Sequence, residues 1–243
     1  HLAGKKMRAL DKVSFSLEKG QVMGVAGESG CGKSTMGLAV MGLLPQIASI
    51  SRGEIVFDGE DLLRKSSTEM DKNIRGQKIS MIFQNPQNAL NPVFKIGSQM
   101  TDILRFQELN QKKKRSSKKE LYERAIEQLR DTGISDPKER ISNYPFEFSG
   151  GMKQRVMISM ALSSQTSLLI ADEPTTALDL TIEAQILELL MKLRAKYDTS
   201  ILYISHNLGV LSQISDNIMI MYAGRIFEMG PTNIVLGSPR HPY

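Results

Sequence analysis

A glycine-rich stretch from Gly27 to Thr35 constrains this chain more than any other feature of its sequence. It reads GESGCGKST and fits the pattern G-x-x-x-x-G-K-[ST] at every fixed position. An apolar run, Gln21 to Ala26, predicts a buried strand before it, and a helix is predicted from Lys33 to Leu44, where Pro45 ends it. A strand, a glycine loop and a helix in this order predict a loop whose backbone N–H groups surround phosphate oxygens.

The side chains of this loop have separate predicted roles. Lys33 would reach the β- and γ-phosphates as a mobile charge, and the Ser34 hydroxyl would bind Mg²⁺. The other positions expected to contact the nucleotide are Gly27, Glu28, Ser29, Gly30, Cys31, Gly32 and Thr35. Cys31 fits here simply as a small side chain; the alternative is a thiol activated by the helix end, which would make activity sensitive to alkylation.

The hydrophobic pattern outside the loop alternates between strands and helices. Strands are predicted at 9–18, 21–26, 53–59, 78–83, 167–171, 200–205 and 217–222, and further helices at 118–132 and 181–197. This alternation predicts an α/β fold with a mostly parallel sheet. Residues 86–165 are read as a helical insertion, so we expect one domain over 1–243 with a core of 1–85 and 166–243 and a helical subdomain of 86–165.

Composition excludes several classes of protein. No apolar run reaches the length of a membrane span, and residues 1–20 carry no signal-peptide core. A single cysteine allows no intrachain disulfide, which fits a reducing compartment. The net charge of +5 includes a basic run over 112–115 and 118–119. We read this run as a solvated surface, because no interleaved aromatic residues indicate nucleic-acid binding.

Four polar residues follow predicted strands at the edge where the glycine loop lies. Asp172 and Glu173 come at the end of the apolar run SLLIA, His206 after SILYIS and Gln84 after KISMIF. The carboxyl ends of parallel strands line the ligand crevice of such sheets. We therefore expect Asp172 to help hold Mg²⁺ and Glu173 to act as the general base. Gln84 would bind Mg²⁺ or order water, and His206 would hydrogen-bond the γ-phosphate or the attacking water.

A second predicted phosphate site begins another helix. The segment Phe148 to Arg155 reads FSGGMKQR and places the Ser149 hydroxyl and the amides of Gly150 and Gly151 at a helix start. It resembles the signature of ABC ATPases, usually written LSGGQ, with Phe for Leu and Met for Gln. The resemblance covers nearly the whole chain, in the order glycine loop, Gln84, signature, acidic pair, Asp179 and His206.

The resemblance implies a P-loop NTPase fold with an N-terminal antiparallel β portion and an ATPase that uses ATP and Mg²⁺. It also implies that Ser149, Gly150 and Gly151 cap ATP held by a second ATP-binding subunit, identical or not, in a head-to-tail dimer. Asp179, in the segment TALD, would lie at that interface. The implied partners include transmembrane permease subunits and, indirectly, an extracytoplasmic substrate-binding protein, with no nucleic acid. The implied location is the cytoplasmic face of the inner membrane, as a peripheral protein.

Finer matches resemble the dipeptide, oligopeptide and nickel importers of that family. These are MIFQNP at 81–86, ALNPV at 89–93, the GGMKQR form of the signature, and RHPY at 240–243. Peptide import is the favoured function and nickel import the alternative. Non-transport ABC ATPases, such as those of DNA repair, chromosome maintenance or translation, are a further alternative; the lack of long coiled coils, zinc-binding cysteines and a second cassette argues against them.

Two departures from that pattern bear on these expectations. The family stacks adenine on an aromatic residue upstream of the first full strand, and none precedes Phe15 here, so this contact stays unassigned. Members of this branch often continue beyond the His-Pro-Tyr element, in some cases with cysteines that hold an iron–sulfur cluster. This sequence ends at Tyr243 without those cysteines, which leaves both alternatives open for the full-length protein: such an extension, or none.

Overall fold

The computed structural model describes residues 7–84, 89–111, 115–176 and 178–242. Several residues that the sequence analysis discussed lie outside these ranges. These are His1, Asn85 and Pro86 of the importer motif, the lysines at 112–114, Ala177 and Tyr243.

The regular elements follow the alternation that the sequence predicts. The strands are β1 (Val22–Gly27), β2 (Val56–Phe57), β3 (Glu60–Asp61), β4 (Ile79–Ile82), β5 (Leu168–Asp172), β6 (Ser200–Ile204), β7 (Asn217–Tyr222) and β8 (Arg225–Pro231). The helices are α1 (Lys33–Met41), α2 (Ser67–Asn73), α3 (Ile96–Asn110), α4 (Lys118–Asp131), α5 (Pro137–Arg140), α6 (Gly150–Ala161), α7 (Leu180–Tyr197), α8 (Leu208–Ile214) and α9 (Thr232–Gly237). Single 3₁₀ turns occur at Leu62–Arg64 and Pro145–Glu147.

The main sheet has the strand order β4-β5-β6-β1-β7-β8 in the described part of the chain. Neighbouring strands from β4 to β7 are parallel, and only the pairing of β7 with β8 is antiparallel. The carboxyl ends of β1, β4, β5 and β6 therefore meet at one edge. The expected α/β fold with a mostly parallel sheet is confirmed.

Side chains alternate between the two faces of the sheet because strand residues point to opposite sides in turn. Leu169 and Tyr203 belong to a hydrophobic cluster on one face, which also contains buried residues of α3, α4, α6 and α7. Ile170 and Leu202 belong to a second cluster on the other face, together with α1 and α2. Helices thus cover both faces, which explains why the central strands read as unbroken apolar runs.

The region between β4 and β5 joins this core through the first cluster. Its regular elements, within the described residues, are all helical: α3, α4, α5, α6 and one 3₁₀ turn. Leu104 of α3, Leu121 and Leu129 of α4, and Val156 of α6 are fully buried. Because these helices share a cluster with Leu169 of β5, they pack as a layer against the sheet.

Three local expectations were wrong. Residues 9–18 form no strand, although their exposure alternates. Within the described residues a single backbone hydrogen bond joins this segment to the turn between β7 and β8, from Asp11 N to Gly224 O at 2.8 Å. The antiparallel N-terminal portion is limited to the short β2–β3 ribbon, so the strand expected at 53–59 shrinks to Val56–Phe57. Helix α1 ends at Met41, before Pro45, because Gly42 takes a left-handed conformation and caps it.

Within the described ranges, we find no helix that is both long enough and apolar enough to cross a lipid bilayer.

Candidate nucleotide site

The glycine loop joins β1 to α1 at the carboxyl edge of the sheet. Gly32 is the N-cap of α1 and has a φ of 109°, a left-handed conformation that favours glycine. Glu28, Ser29 and Gly30 are exposed, so their backbone groups are accessible to a ligand. The loop therefore presents an accessible backbone at a helix N-terminus, the arrangement that binds phosphate groups.

Lys33 lies beneath this loop, with only 5% of its surface exposed. Its ammonium group donates hydrogen bonds to the carbonyl oxygens of Gly27, at 2.7 Å, and of Glu28, at 2.9 Å. The charge is thus held at the centre of the loop by the loop's own backbone. Cys31 is a free, buried cysteine that packs in the second hydrophobic cluster, in agreement with its reading as a small space-filling side chain.

Ser34 and Asp172 form an oxygen pair below the loop. The Ser34 hydroxyl donates to Oδ1 of Asp172 at 3.1 Å, and Asp172 is buried at the end of β5. Burial, the largest influence, raises the pKa of Asp172; the Ser34 hydrogen bond opposes it. A hydroxyl and a carboxylate side by side suit a hard cation that prefers oxygen ligands, so this pair fits Mg²⁺. No group of three or more His, Cys, Asp or Glu side chains in the described residues could hold a metal by itself. A cation here would need further oxygen ligands from other side chains, phosphate or water.

Three side chains surround the carboxylate of Glu173, which follows β5. Nε2 of Gln84 and the hydroxyl of Thr176 both donate to Oε2, at 2.9 and 3.0 Å. Nδ1 of His206 lies 3.2 Å from Oε1. The backbone of Glu173 is held as well, because its N–H donates to the carbonyl of Ile204 at 2.9 Å. Both carboxylate oxygens therefore have partners that fix their direction.

Burial is the largest single influence on the pKa of Glu173 and acts to raise it. The hydrogen bonds from His206 and Thr176, together with the charge of Lys33, outweigh burial and lower the pKa below its ordinary value. The side chain is therefore ionised at neutral pH, the form that accepts a proton. The pKa of Asp172 is thus raised and the pKa of the adjacent Glu173 is lowered.

The residues of the second predicted phosphate site lie at two helix starts. Ser149 is exposed and caps α6, where its hydroxyl oxygen accepts from the N–H of Met152 at 3.3 Å. Asp179 is exposed and caps α7, accepting from the N–H of Ile182 at 2.9 Å. No hydrogen bond or ion pair within the described chain joins either of them to residues 27–35. The structure thus assembles one cluster around the glycine loop and leaves Ser149 to Gly151 and Asp179 outside it.

A sequence profile of the ABC transporter family matches residues 10–176. The chain belongs to the ABC transporter family. The expected resemblance to the peptide-transport branch of this family is confirmed by relatives that are named oligopeptide and dipeptide transport ATP-binding proteins.

These ABC relatives are similar over nearly the whole chain. It is 48% identical over 241 residues to the oligopeptide transport ATP-binding protein OppD of Bacillus subtilis, covering 99% of this chain and 65% of the relative. It is 46% identical to the dipeptide transport ATP-binding protein DppD of the same organism, covering 99% of this chain and 70% of the relative. DppD of Escherichia coli is 42% identical, with 97% and 70% covered. The chain thus spans about two thirds of the length of these relatives.

Solved structures of ABC cassettes share the fold. A dimeric ATP-binding cassette in a post-hydrolysis state, bound to ADP and Pi, is 25% identical with a TM-score of 0.81, covering 96% of this chain and 94% of that one. CbiO1 of Clostridium perfringens, part of an ABC transporter complex, has a TM-score of 0.77 at 24% identity, covering 95% and 84%. The predicted fold class is confirmed by these neighbours as well.

Sequence reasoning missed Thr176 as a member of this ABC-family site. It lies three residues after Glu173, and its N–H donates to the Glu173 carbonyl at 3.2 Å, which closes a turn. That turn brings its hydroxyl to the carboxylate. A hydroxyl residue at the fourth position of a turn that starts at a predicted base is the signal that could have identified it.

Proposed function

We propose that this chain binds and hydrolyses ATP as the motor subunit of an importer for dipeptides or oligopeptides. One observation carries the catalytic part: the ionised Glu173 carboxylate is held by Gln84, Thr176 and His206 beside the Ser34–Asp172 pair. The names of the relatives, which are oligopeptide and dipeptide transport ATP-binding proteins, support the transport part.

Phosphate binding would use the loop backbone and Lys33. The backbone of the exposed residues Glu28, Ser29 and Gly30 and the dipole of α1 would attract the phosphates. Lys33 reaches them by exchanging its two carbonyl hydrogen bonds, at 2.7 and 2.9 Å, for phosphate oxygens. The ammonium group would then neutralise part of the negative charge of the triphosphate.

Mg²⁺ would be held by Ser34 and Asp172, with Gln84 as a further oxygen ligand. When bound, the ion draws charge from the phosphate oxygens and so favours departure of ADP. The chain's own part is to keep the two oxygens together, as the 3.1 Å contact between Ser34 and Asp172 does.

Glu173 would take a proton from the attacking water. The water oxygen bonds to the γ-phosphorus, the bond to the β–γ bridging oxygen breaks, and ADP and phosphate leave. His206 and Thr176 hold the carboxylate so that it points toward the water, and His206, whose side chain is 62% exposed, can also reach the γ-phosphate. The reaction therefore depends mainly on how these side chains are positioned, and no covalent bond to the protein is required.

The second phosphate site would act on the ATP of a partner subunit. Ser149, Gly150 and Gly151 are accessible at the start of α6, and Asp179 is accessible at the start of α7. Because these residues lie outside the cluster around the glycine loop, a head-to-tail dimer gives them a role that a monomer does not. The neighbouring solved cassette is itself dimeric.

A mixing experiment tests this composite site. Lys33→Ala removes phosphate binding, and Ser149→Arg places a long charged side chain on the dimer surface, so each variant alone should be inactive while Ser149→Arg still binds ATP. An equimolar mixture should recover up to about a quarter of wild-type ATPase activity, because half the dimers are mixed and each has one complete site. No recovery at any ratio, or normal ATP-driven dimerisation of Ser149→Arg, would contradict the proposal.

The remaining assignments follow from the importer proposal. The partners would be permease subunits, a second ATP-binding subunit and, through the permease, a substrate-binding protein, with the chain at the cytoplasmic face of the inner membrane. Residues 1–85 and 166–243 would form the catalytic core, and 86–165 a helical subdomain that contacts the permease. Cells that carry Lys33→Ala in place of this chain should lose uptake of labelled peptides and keep uptake of nickel. The opposite pattern would favour the nickel alternative.

A further inference from the structure

The two helix starts that the proposed dimer would use lie against each other. A Cβ atom built on Gly151 would lie 2.8 Å from Cγ2 of Ile182, which is in the first turn of α7. A Cβ atom on Gly150 would lie 3.6 Å from Cδ2 of Leu178, beside Asp179. The signature residues and Asp179 therefore form one continuous surface, whose shape depends on how α6 sits on α7.

Arg155 connects α6 to its neighbours one turn after the signature. Its Nη1 donates to the backbone carbonyl of Thr132, just after α4, at 2.8 Å, and its Nη2 donates to Oε1 of Gln185, on α7, at 3.1 Å. A Cβ atom on Gly133 would lie 2.8 Å from Nη1. The guanidinium thus occupies a close-fitting place between α4, α6 and α7.

The apolar contacts of α6 do not fix its orientation in the same way. Val156 and Ile158 are fully buried, but hydrophobic burial has no preferred direction and permits small rotations and shifts of a helix. A planar guanidinium that donates to two acceptors sets both direction and distance. We infer that Arg155 is a positioning residue, which holds the signature helix in the orientation that presents Ser149 and Gly151 beside Asp179.

The inference rests on the proposed function, since it concerns the site that a partner subunit would use. Within the described residues, the hydrogen bonds of Arg155 go to Thr132 and Gln185 and to none of the residues around the glycine loop. Removal of the Arg155 side chain should therefore leave ATP binding by the monomer unchanged. What its loss should impair is ATP-driven dimerisation and the turnover that depends on it.

The experiment measures dimerisation in a Glu173→Gln background, where ATP stays bound. Sedimentation with saturating ATP gives the protein concentration of half-dimerisation for the parent, for Arg155→Ala, Arg155→Lys and Gln185→Leu, and for Arg105→Ala as a matched control on an exposed face of α3. We expect Arg155→Ala to require at least about tenfold more protein, and Arg155→Lys and Gln185→Leu about threefold more, because each keeps part of the bridge. Arg105→Ala should match the parent.

Two further measurements separate positioning from loss of structure. The Kd for ATP, measured at protein concentrations where the parent is monomeric, should stay within about twofold of the parent in every variant. In protein that retains the natural Glu173, the same Arg155 and Gln185 substitutions should lower kcat in the same order as they weaken dimerisation. Unchanged dimerisation by Arg155→Ala overturns the inference; if that variant fails to fold, unchanged dimerisation by both Arg155→Lys and Gln185→Leu overturns it. A parent that stays monomeric with ATP refutes the proposed dimer itself, and the inference with it.

Discussion

Replacing Glu173 by glutamine exchanges one carboxylate oxygen for an NH₂ group and changes little else in size. Its effect can be worked out contact by contact. The amide oxygen can still accept from Gln84 and Thr176, which both donate to one carboxylate oxygen at 2.9 and 3.0 Å. The amide NH₂ then faces Nδ1 of His206, which accepts a hydrogen bond when the ring is neutral.

The free energy of unfolding should therefore change by no more than about 1 kcal/mol, because glutamine can still form hydrogen bonds with Gln84, Thr176 and His206. The consequence for turnover is large, because an amide does not take a proton from water. General-base catalysis contributes about 10²-fold or more, so kcat should fall by at least that factor, or about 3 kcal/mol of transition-state stabilisation. ATP affinity should stay unchanged.

Phosphate release under saturating ATP measures the loss, with ATP binding and thermal unfolding recorded on the same sample. Glu188→Gln, at an exposed position of α7, is the matched control, because it makes the same chemical change away from the site. A kcat within about threefold of wild type for Glu173→Gln, with ATP binding intact, would refute the assignment of Glu173 as the base.

Three further outcomes concern stability and the loop. Leu129→Ala, at a fully buried position of α4, should lower the free energy of unfolding by about 2–5 kcal/mol, measured by denaturant titration. Gly32→Ala should lower stability by about 1–3 kcal/mol and weaken ATP binding, because the new methyl group would lie 2.8 Å from the carbonyl oxygen of Ala9 at a φ of 109°; equal melting temperatures would contradict this. Glu108 has its pKa lowered chiefly by the Ser116 hydroxyl, against the effect of burial. Its ionised form therefore stabilises the fold above its ordinary pKa of 4.5, and the stability difference between wild type and Glu108→Gln should shrink as the pH falls below that value.

Much of the site could be predicted because its residues occupy places that a sequence pattern defines. The glycine loop, the acidic pair, Gln84 and His206 all follow strands, and parallel strands bring their carboxyl ends to one edge. Gln84 and His206 are 122 residues apart along the chain, but they follow β4 and β6, the two neighbours of the strand that Glu173 follows. The order of the strands therefore places these three side chains together.

Other features depend on contacts that a single segment does not encode. Residues 9–18 have the alternation of a strand, but a strand also needs a neighbour with free backbone groups. Among the described residues, Asp11 alone makes a backbone hydrogen bond from this segment to the edge of the sheet. The hydroxyl of Thr176 reaches Glu173 through the geometry of one turn, and Arg155 meets Thr132 and Gln185 only when three helices pack. Patterns of apolar residues predict which faces are buried, but they leave such directional contacts open.

The backbone at Glu173 has a φ of 46°, in the left-handed region where a side chain carries a steric penalty. Glycine would relieve that penalty, of order 1 kcal/mol, at the cost of the carboxylate. Relief of that penalty is smaller than the loss of the hydrogen bonds that Gln84, Thr176 and His206 make to the carboxylate. The contacts that direct the carboxylate therefore also hold the chain in its strained backbone conformation, so the stability of this turn and the position of the proposed base depend on the same side chains.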